Sequence, residues 1–174
     1  MKLYLCLSVV FLFGCMAQPK PPSAESQRYA LKLVDQGVVF LRQGKLEEAK
    51  ASFEVAVEID GLPAAIDGLG CVAFLRGDFR EAEKKFIAAY QMDHSYRQSL
   101  GNLALLYEKQ GLLEKAAQFY VSAILENPKS YQIRNNYAVF LKRNGRESEA
   151  RVEFLKAQAL GRHPLVEINI KELS

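Results

Sequence analysis

One phrase recurs four times along this chain. It reads Gly44-Lys-Leu-Glu-Glu-Ala49-Lys-Ala-Ser-Phe53, then Gly77-Asp-Phe-Arg-Glu-Ala82-Glu-Lys-Lys-Phe86, then Gly111-Leu-Leu-Glu-Lys-Ala116-Ala-Gln-Phe-Tyr120, and last Gly145-Arg-Glu-Ser-Glu-Ala150-Arg-Val-Glu-Phe154. The four glycines are spaced by 33, 34 and 34 residues. Self-similarity at such a period specifies a solenoid, because each unit is too small to bury its apolar face alone and must stack on its neighbours. Within the first unit, Tyr29 to Arg42 sets Leu33, Val34, Gly37, Phe40 and Leu41 at helical spacing. Gly44 then offers the left-handed residue that stops a helix. Glu47 to Ile59 places Ala49, Phe53, Ala56 and Val57 on a second stripe, with Glu47 and Glu48 at the end where the helix dipole favours negative charge.

The expected fold is therefore all-α: four helix-turn-helix units, about 30–62, 63–96, 97–130 and 131–163, within an array spanning 27–163 and sharing one apolar spine. Residues 164–174 follow as a C-terminal cap. Pro164 suits a first helical turn, and Leu165, Val166, Ile168, Ile170 and Leu173 can cover the last apolar face, so a short capping helix is expected. The alternation Val166-Glu-Ile168-Asn-Ile170 also fits a strand.

With 174 residues there is room for one such array and little else. A net charge of +3, with no block of Lys or Arg, gives no footprint for nucleic acid. Cys71 is the one thiol within the array, so the fold does not depend on an internal disulfide. No nucleophile–base pair or phosphate loop has motif support, and His94 and His163 stand in different units without clustered Cys, Asp or Glu. Neither an enzyme nor a cofactor nor a metal site is expected.

Ahead of the array, Lys2 precedes an apolar run from Leu3 to Phe13, too short to span a bilayer and suited to a signal peptide. The run ends in Leu12-Phe13-Gly14-Cys15, which resembles the bacterial lipobox. The resemblance implies removal of residues 1–14 as a lipoprotein signal peptide and lipidation of Cys15, by diacylglycerol on its sulfur and an acyl chain such as palmitate on its new amine. Several acyl chains together anchor a protein stably where one does not. In an enteric-type Gram-negative cell, Met16 rather than aspartate after that cysteine implies onward transport to the outer membrane, facing the periplasm. The alternative is cleavage after Ala17, releasing a soluble periplasmic protein. Residues 15–26, with Pro19, Pro21 and Pro22, read as a semi-rigid tether.

The repeated phrase resembles the tetratricopeptide repeat (TPR). Position 8 of that pattern, a small residue, is filled by Gly37, Gly70, Ala104 and Ala138; position 20 by Ala49, Ala82, Ala116 and Ala150; position 24 by Phe53, Phe86, Tyr120 and Phe154; position 27 by Ala56, Ala89, Ala123 and Ala157. The resemblance implies that positions 8 and 20 face each other where the paired helices cross. It also implies a concave face lined by the first helix of each unit, open to a protein partner. That groove would draw on Val34 and Val38, then Asp67, Cys71 and Phe74, then Gln98, Asn102 and Leu105, then Gln132, Asn135, Asn136 and Lys142. Asn102 and Asn136 hold the position that clamps a peptide backbone in TPR peptide binders; they equally suit solvated or locally bonded amides. Val34, Val38 and Phe74 suit either a groove floor or a stripe covered by other parts of the chain.

The lipobox, the proline-containing tether, the TPR array and the phrase Asn135-Asn136-Tyr137 together resemble the type IV pilus pilotins, outer-membrane TPR lipoproteins. That resemblance implies a part in type IV pilus biogenesis, with an outer-membrane secretin as partner and the membrane reached through the lipid. The other reading is a general periplasmic scaffold that docks cell-envelope enzymes or proteases.

Overall fold

In a computed structural model, residues 21–161 and 163–172 are described. They form nine helices: α1 (Ala24–Arg42), α2 (Leu46–Asp60), α3 (Pro63–Leu75), α4 (Phe79–Met92), α5 (Gln98–Lys109), α6 (Leu113–Glu126), α7 (Tyr131–Arg143), α8 (Glu147–Leu160) and α9 (Pro164–Lys171). The first eight pair as α1/α2, α3/α4, α5/α6 and α7/α8, and each pair packs on the next, so the four units stack in chain order. No strand occurs among the described residues, and no helix there is long and apolar enough to cross a membrane.

Each pair is closed by the same turn, and glycine is what permits it. Gly44 takes φ +73°, while the Gly44 N–H donates to Leu41 O at 3.0 Å and the Lys45 N–H to Phe40 O at 3.0 Å. This is a Schellman stop, which satisfies carbonyls left over at the end of α1 and costs a Cβ-bearing residue steric strain. The same two bonds recur at Gly77, Gly111 and Gly145.

The alanines of the repeated phrase are fully buried: Ala49, Ala82, Ala116 and Ala150 are all 0% exposed. The aromatics at position 24 are buried with them. In the first two units the aromatic ring at position 24 itself enforces a small residue at position 8. A Cβ built on Gly37 would lie 2.6 Å from Cε1 of Phe53, and one on Gly70 would lie 2.6 Å from Cε1 of Phe86. Phe53 is held from both sides, since a Cβ on Gly68 of the next unit would lie 2.5 Å from the same ring.

Two further expectations are corrected. The first helix begins at Ala24, capped by Ser23 Oγ accepting from the Ser26 N–H at 3.1 Å, so the proposed tether cannot extend to residue 26. The spine is not continuous. One group of buried side chains gathers Ala30, Val34, Ala49, Phe53, Ala56, Ala65 and Val72, and a second runs from Ala73 through Phe86, Leu103 and Tyr120 to Phe154. The division falls within α3, whose Leu69 and Val72 pack with the first group and whose Cys71, Ala73 and Phe74 pack with the second. A smaller group, Leu100, Ala123 and Ile133, lies between the third and fourth units.

The tail is a helix and not a strand. Pro164 occupies the first turn of α9, and Val166 is buried against the preceding unit. Ions and hydrogen bonds tie the units as well: Arg76 pairs with Glu47, Tyr107 OH donates to Glu83, and Arg143 pairs with Glu108 at 3.2 Å, while within the fourth unit Arg134 pairs with Glu153 at 2.9 Å. The last of these is well shielded, with side chains 16% and 13% exposed.

Candidate functional site

The first helices of the second, third and fourth units line a polar cleft of about 490 Å³. It is built from Asp67 on α3, Gln98, Gly101 and Asn102 on α5, and Gln132, Ile133 and Asn136 on α7, with Tyr96, Asn127, Lys129 and Ser130 from the two inter-unit joints. Of the groove residues expected from sequence, the structure brings Asp67, Gln98, Asn102, Gln132 and Asn136 together here.

Asp67 lies at the floor, 5% exposed. Its Oδ1 accepts from Ser99 Oγ at 2.9 Å, and its Oδ2 accepts from Asn102 Nδ2 at 2.8 Å and from Tyr96 OH at 3.3 Å. Ser99 and Asn102 belong to the next unit, and Tyr96 to the joint that leads into it. Asn102 is thereby committed through its amide nitrogen to a carboxylate, the locally bonded one of the two readings its sequence position left open. Burial raises the Asp67 pKa above its ordinary value of 3.8, and the bonds from Ser99, Asn102 and Tyr96 oppose that rise. The Tyr96 hydroxyl is raised too, by burial first and then by the neighbouring Asp67 charge.

The titration of Asp67 has a definite sign. A raised folded pKa means that the folded chain keeps a proton the unfolded chain has already released. Stability is then greatest below 3.8, falls as pH climbs from there through the raised value, and is level above it. Asp67→Asn removes this titration. Urea unfolding from below pH 3.8 to neutrality is expected to show the stability of the wild type, relative to the variant, declining with rising pH. A pH-independent difference would place Asp67 in an unperturbed environment.

Exposed amides stand above this floor. Gln98 and Asn136 are exposed and have no hydrogen-bond partner among the described residues, while Gln132 Oε1 lies 3.2 Å from Ser130 Oγ. Amides presented this way can donate and accept along a backbone.

The remaining expected residues sit elsewhere. Asn135 Oδ1 accepts from Asn169 Nδ2 of α9 at 2.9 Å, and Lys142 Nζ pairs with Glu172 at 3.0 Å. Both belong to the seat of the capping helix, so they are removed from the groove. Val34 is buried in the first group of core residues, whereas Val38 is exposed. Phe74 packs on Phe79, with ring centroids 5.9 Å apart, and Leu105 is exposed outside the cleft. Cys71 packs against the core with Sγ 3.8 Å from Asn102 Nδ2, and burial followed by the Asp67 charge pushes its thiol up to about 12. It is a protonated apolar neighbour and not a nucleophile at neutral pH. Cys15 lies outside the described residues. Among those residues no three His, Cys, Asp or Glu side chains converge to hold a metal ion.

Tyr96, Ser99, Lys129 and Ser130 were not anticipated. A signal for Ser99 and Asn102 was present, since a polar residue on α3 invites partners about one repeat further on.

Models of the tetratricopeptide repeat match residues 33–61 and 68–124 of this chain. No curated protein matches it. Among solved structures, pilF of Pseudomonas aeruginosa superposes with a TM-score of 0.70 at 22% identity, over 86% of this chain and 69% of that one. A thermophilic TPR protein of Thermus thermophilus gives 0.71 at 19% identity, over 83% and 80% of the two chains. YrrB, described as a TPR protein with an unusual peptide-binding site, gives 0.59 at 17% identity, over 86% and 76%. These likenesses establish the fold.

Proposed function

Taking the chain as a tetratricopeptide-repeat solenoid of four units with a helical cap, we propose that it is a docking adaptor whose polar cleft receives an extended segment of a partner protein. One observation carries this reading: Gln98 and Asn136, on successive units, line one cleft with their amides unengaged. An extended backbone supplies the complementary row of donors and acceptors. Affinity purification from a detergent extract tests it. The wild-type chain is expected to retain a partner that a Gln98→Ala/Asn136→Ala variant loses. Because both side chains are exposed, the variant should keep its stability to within about 0.5 kcal/mol. Undiminished recovery with the variant would move the docking surface away from this cleft.

For the cellular setting, we propose a lipid anchor at Cys15 and an outer-membrane, periplasm-facing location. The support is the lipobox-like Leu12-Phe13-Gly14-Cys15. Labelled palmitate entering the wild type but not Cys15→Ser is the expected result; equal labelling would exclude the anchor. As partner we propose an outer-membrane secretin of a type IV pilus system, on the strength of the leader, the tether and the Asn135-Asn136-Tyr137 phrase. Asn135 and Tyr137 also have structural duties, since Asn135 binds α9 and Tyr137 stacks on Phe140 with centroids 6.1 Å apart. Secretin multimers at normal levels in a deletion strain would exclude this partner. A general periplasmic scaffold is the competing reading. It is favoured by the structural duties just named, which account for Asn135 and Tyr137 without a pilus partner.

A further inference from the structure

Asp67 is the one buried charged side chain among the described residues. Several glutamates elsewhere in the array meet Lys or Arg in ion pairs, but Asp67 takes part in none of these. Its three donors, Ser99, Asn102 and Tyr96, are all neutral. A carboxylate offers about four acceptor sites, so roughly one remains. Taking such a charge out of water without an opposite charge is costly, and buried charges are ordinarily paired. This one also borders a cleft open to solvent.

We infer that the Asp67 carboxylate is a subsite for the basic side chain, lysine or arginine, of the segment that docks in this cleft. The inference rests on the docking role proposed above and adds to it a chemical requirement on the partner. A long aliphatic stem with a terminal cation is the right shape to reach a charge at the floor while its backbone stays at the level of Gln98 and Asn136. A metal ion fits less well: hard cations take six or more oxygen ligands, and the groups around Asp67 turn donor hydrogens towards it. Lys129 stands exposed on the rim and forms no ion pair among the described residues. The titratable neighbours of Asp67 are Tyr96 and Cys71, both neutral as acids with raised pKa, so nothing in the wall supplies the missing positive charge.

The test uses the full chain in detergent and a library of random dodecapeptides displayed on phage. The wild type is expected to select peptides with Lys or Arg at one fixed register. Asp67→Asn, nearly the same in shape, should select peptides without that preference. A peptide recovered with the wild type is then synthesised with its Arg changed to citrulline, or its Lys to norleucine. The change should weaken binding to the wild type roughly tenfold or more and leave binding to Asp67→Asn unaltered. If Asp67→Asn does not fold, the synthetic pair on the wild type still decides. Selected peptides with no basic preference, or equal affinity for the neutralised peptide, would overturn the cation subsite and leave the cleft as a docking site. Recovery of no peptide at all would overturn both.

Discussion

Replacing Phe53 by alanine is expected to cost about 3–5 kcal/mol, the range for a fully buried aromatic. The side chain is 0% exposed and fills the space between Gly37 of its own unit and Gly68 of the next. Neither glycine has a side chain with which to close the void, and the helices that carry them cannot move together without disturbing Ala49 and Ala56, which are also 0% exposed. The loss is read as a fall in the urea midpoint with little change in slope. A loss near 1 kcal/mol would mean that the units relax onto each other freely.

The second large effect is a reversal of sign. Gly68→Ala alone places a methyl carbon 2.5 Å from Cε1 and Cζ of Phe53, so ring or backbone must shift. Such overpacking costs about 1–3 kcal/mol, against which alanine's better helix propensity returns about 1 kcal/mol. In a Phe53→Ala background the obstacle is gone. The same substitution is then expected to be neutral or to stabilise by up to about 1 kcal/mol, through propensity and partial filling of the void. Four proteins and one denaturant series complete the cycle, and the coupling energy isolates the contact between the first and second units. Additive effects would show that Gly68 and Phe53 do not share that space.

What the sequence made legible follows from its period. The glycines at 44, 77, 111 and 145 all reach positive φ, and the alanines one turn into each second helix are all buried. These positions recur because every unit solves the same internal problem: a tight stop, then a close crossing. Contacts between units were less legible, because a period states what repeats and not which side chain of one unit lies opposite which of the next. Gly68 against Phe53, and Asp67 against Ser99 and Asn102, are of that kind. Asn135 and Lys142 went astray for a related reason. They lie on the fourth unit, against which α9 and not another helix pair packs, and its residues engage both side chains. The early start of α1 was hidden because Ser23, a good cap, directly follows Pro21 and Pro22, which suggest extended chain.

The middle of α3 is the seam at which two apolar groups of the solenoid meet. The residues from Ala30 to Val72 on one side and from Ala73 to Phe154 on the other form separate apolar blocks. Native-state hydrogen exchange is expected to resolve them as two units of different protection, in the manner of foldons. Asp67, Gly68 and Gly70 sit at that seam, and the floor of the cleft shares it. A guest that bridges Asp67 to the units beyond would therefore splint the two blocks, so occupancy would be felt as stiffness along the whole rod.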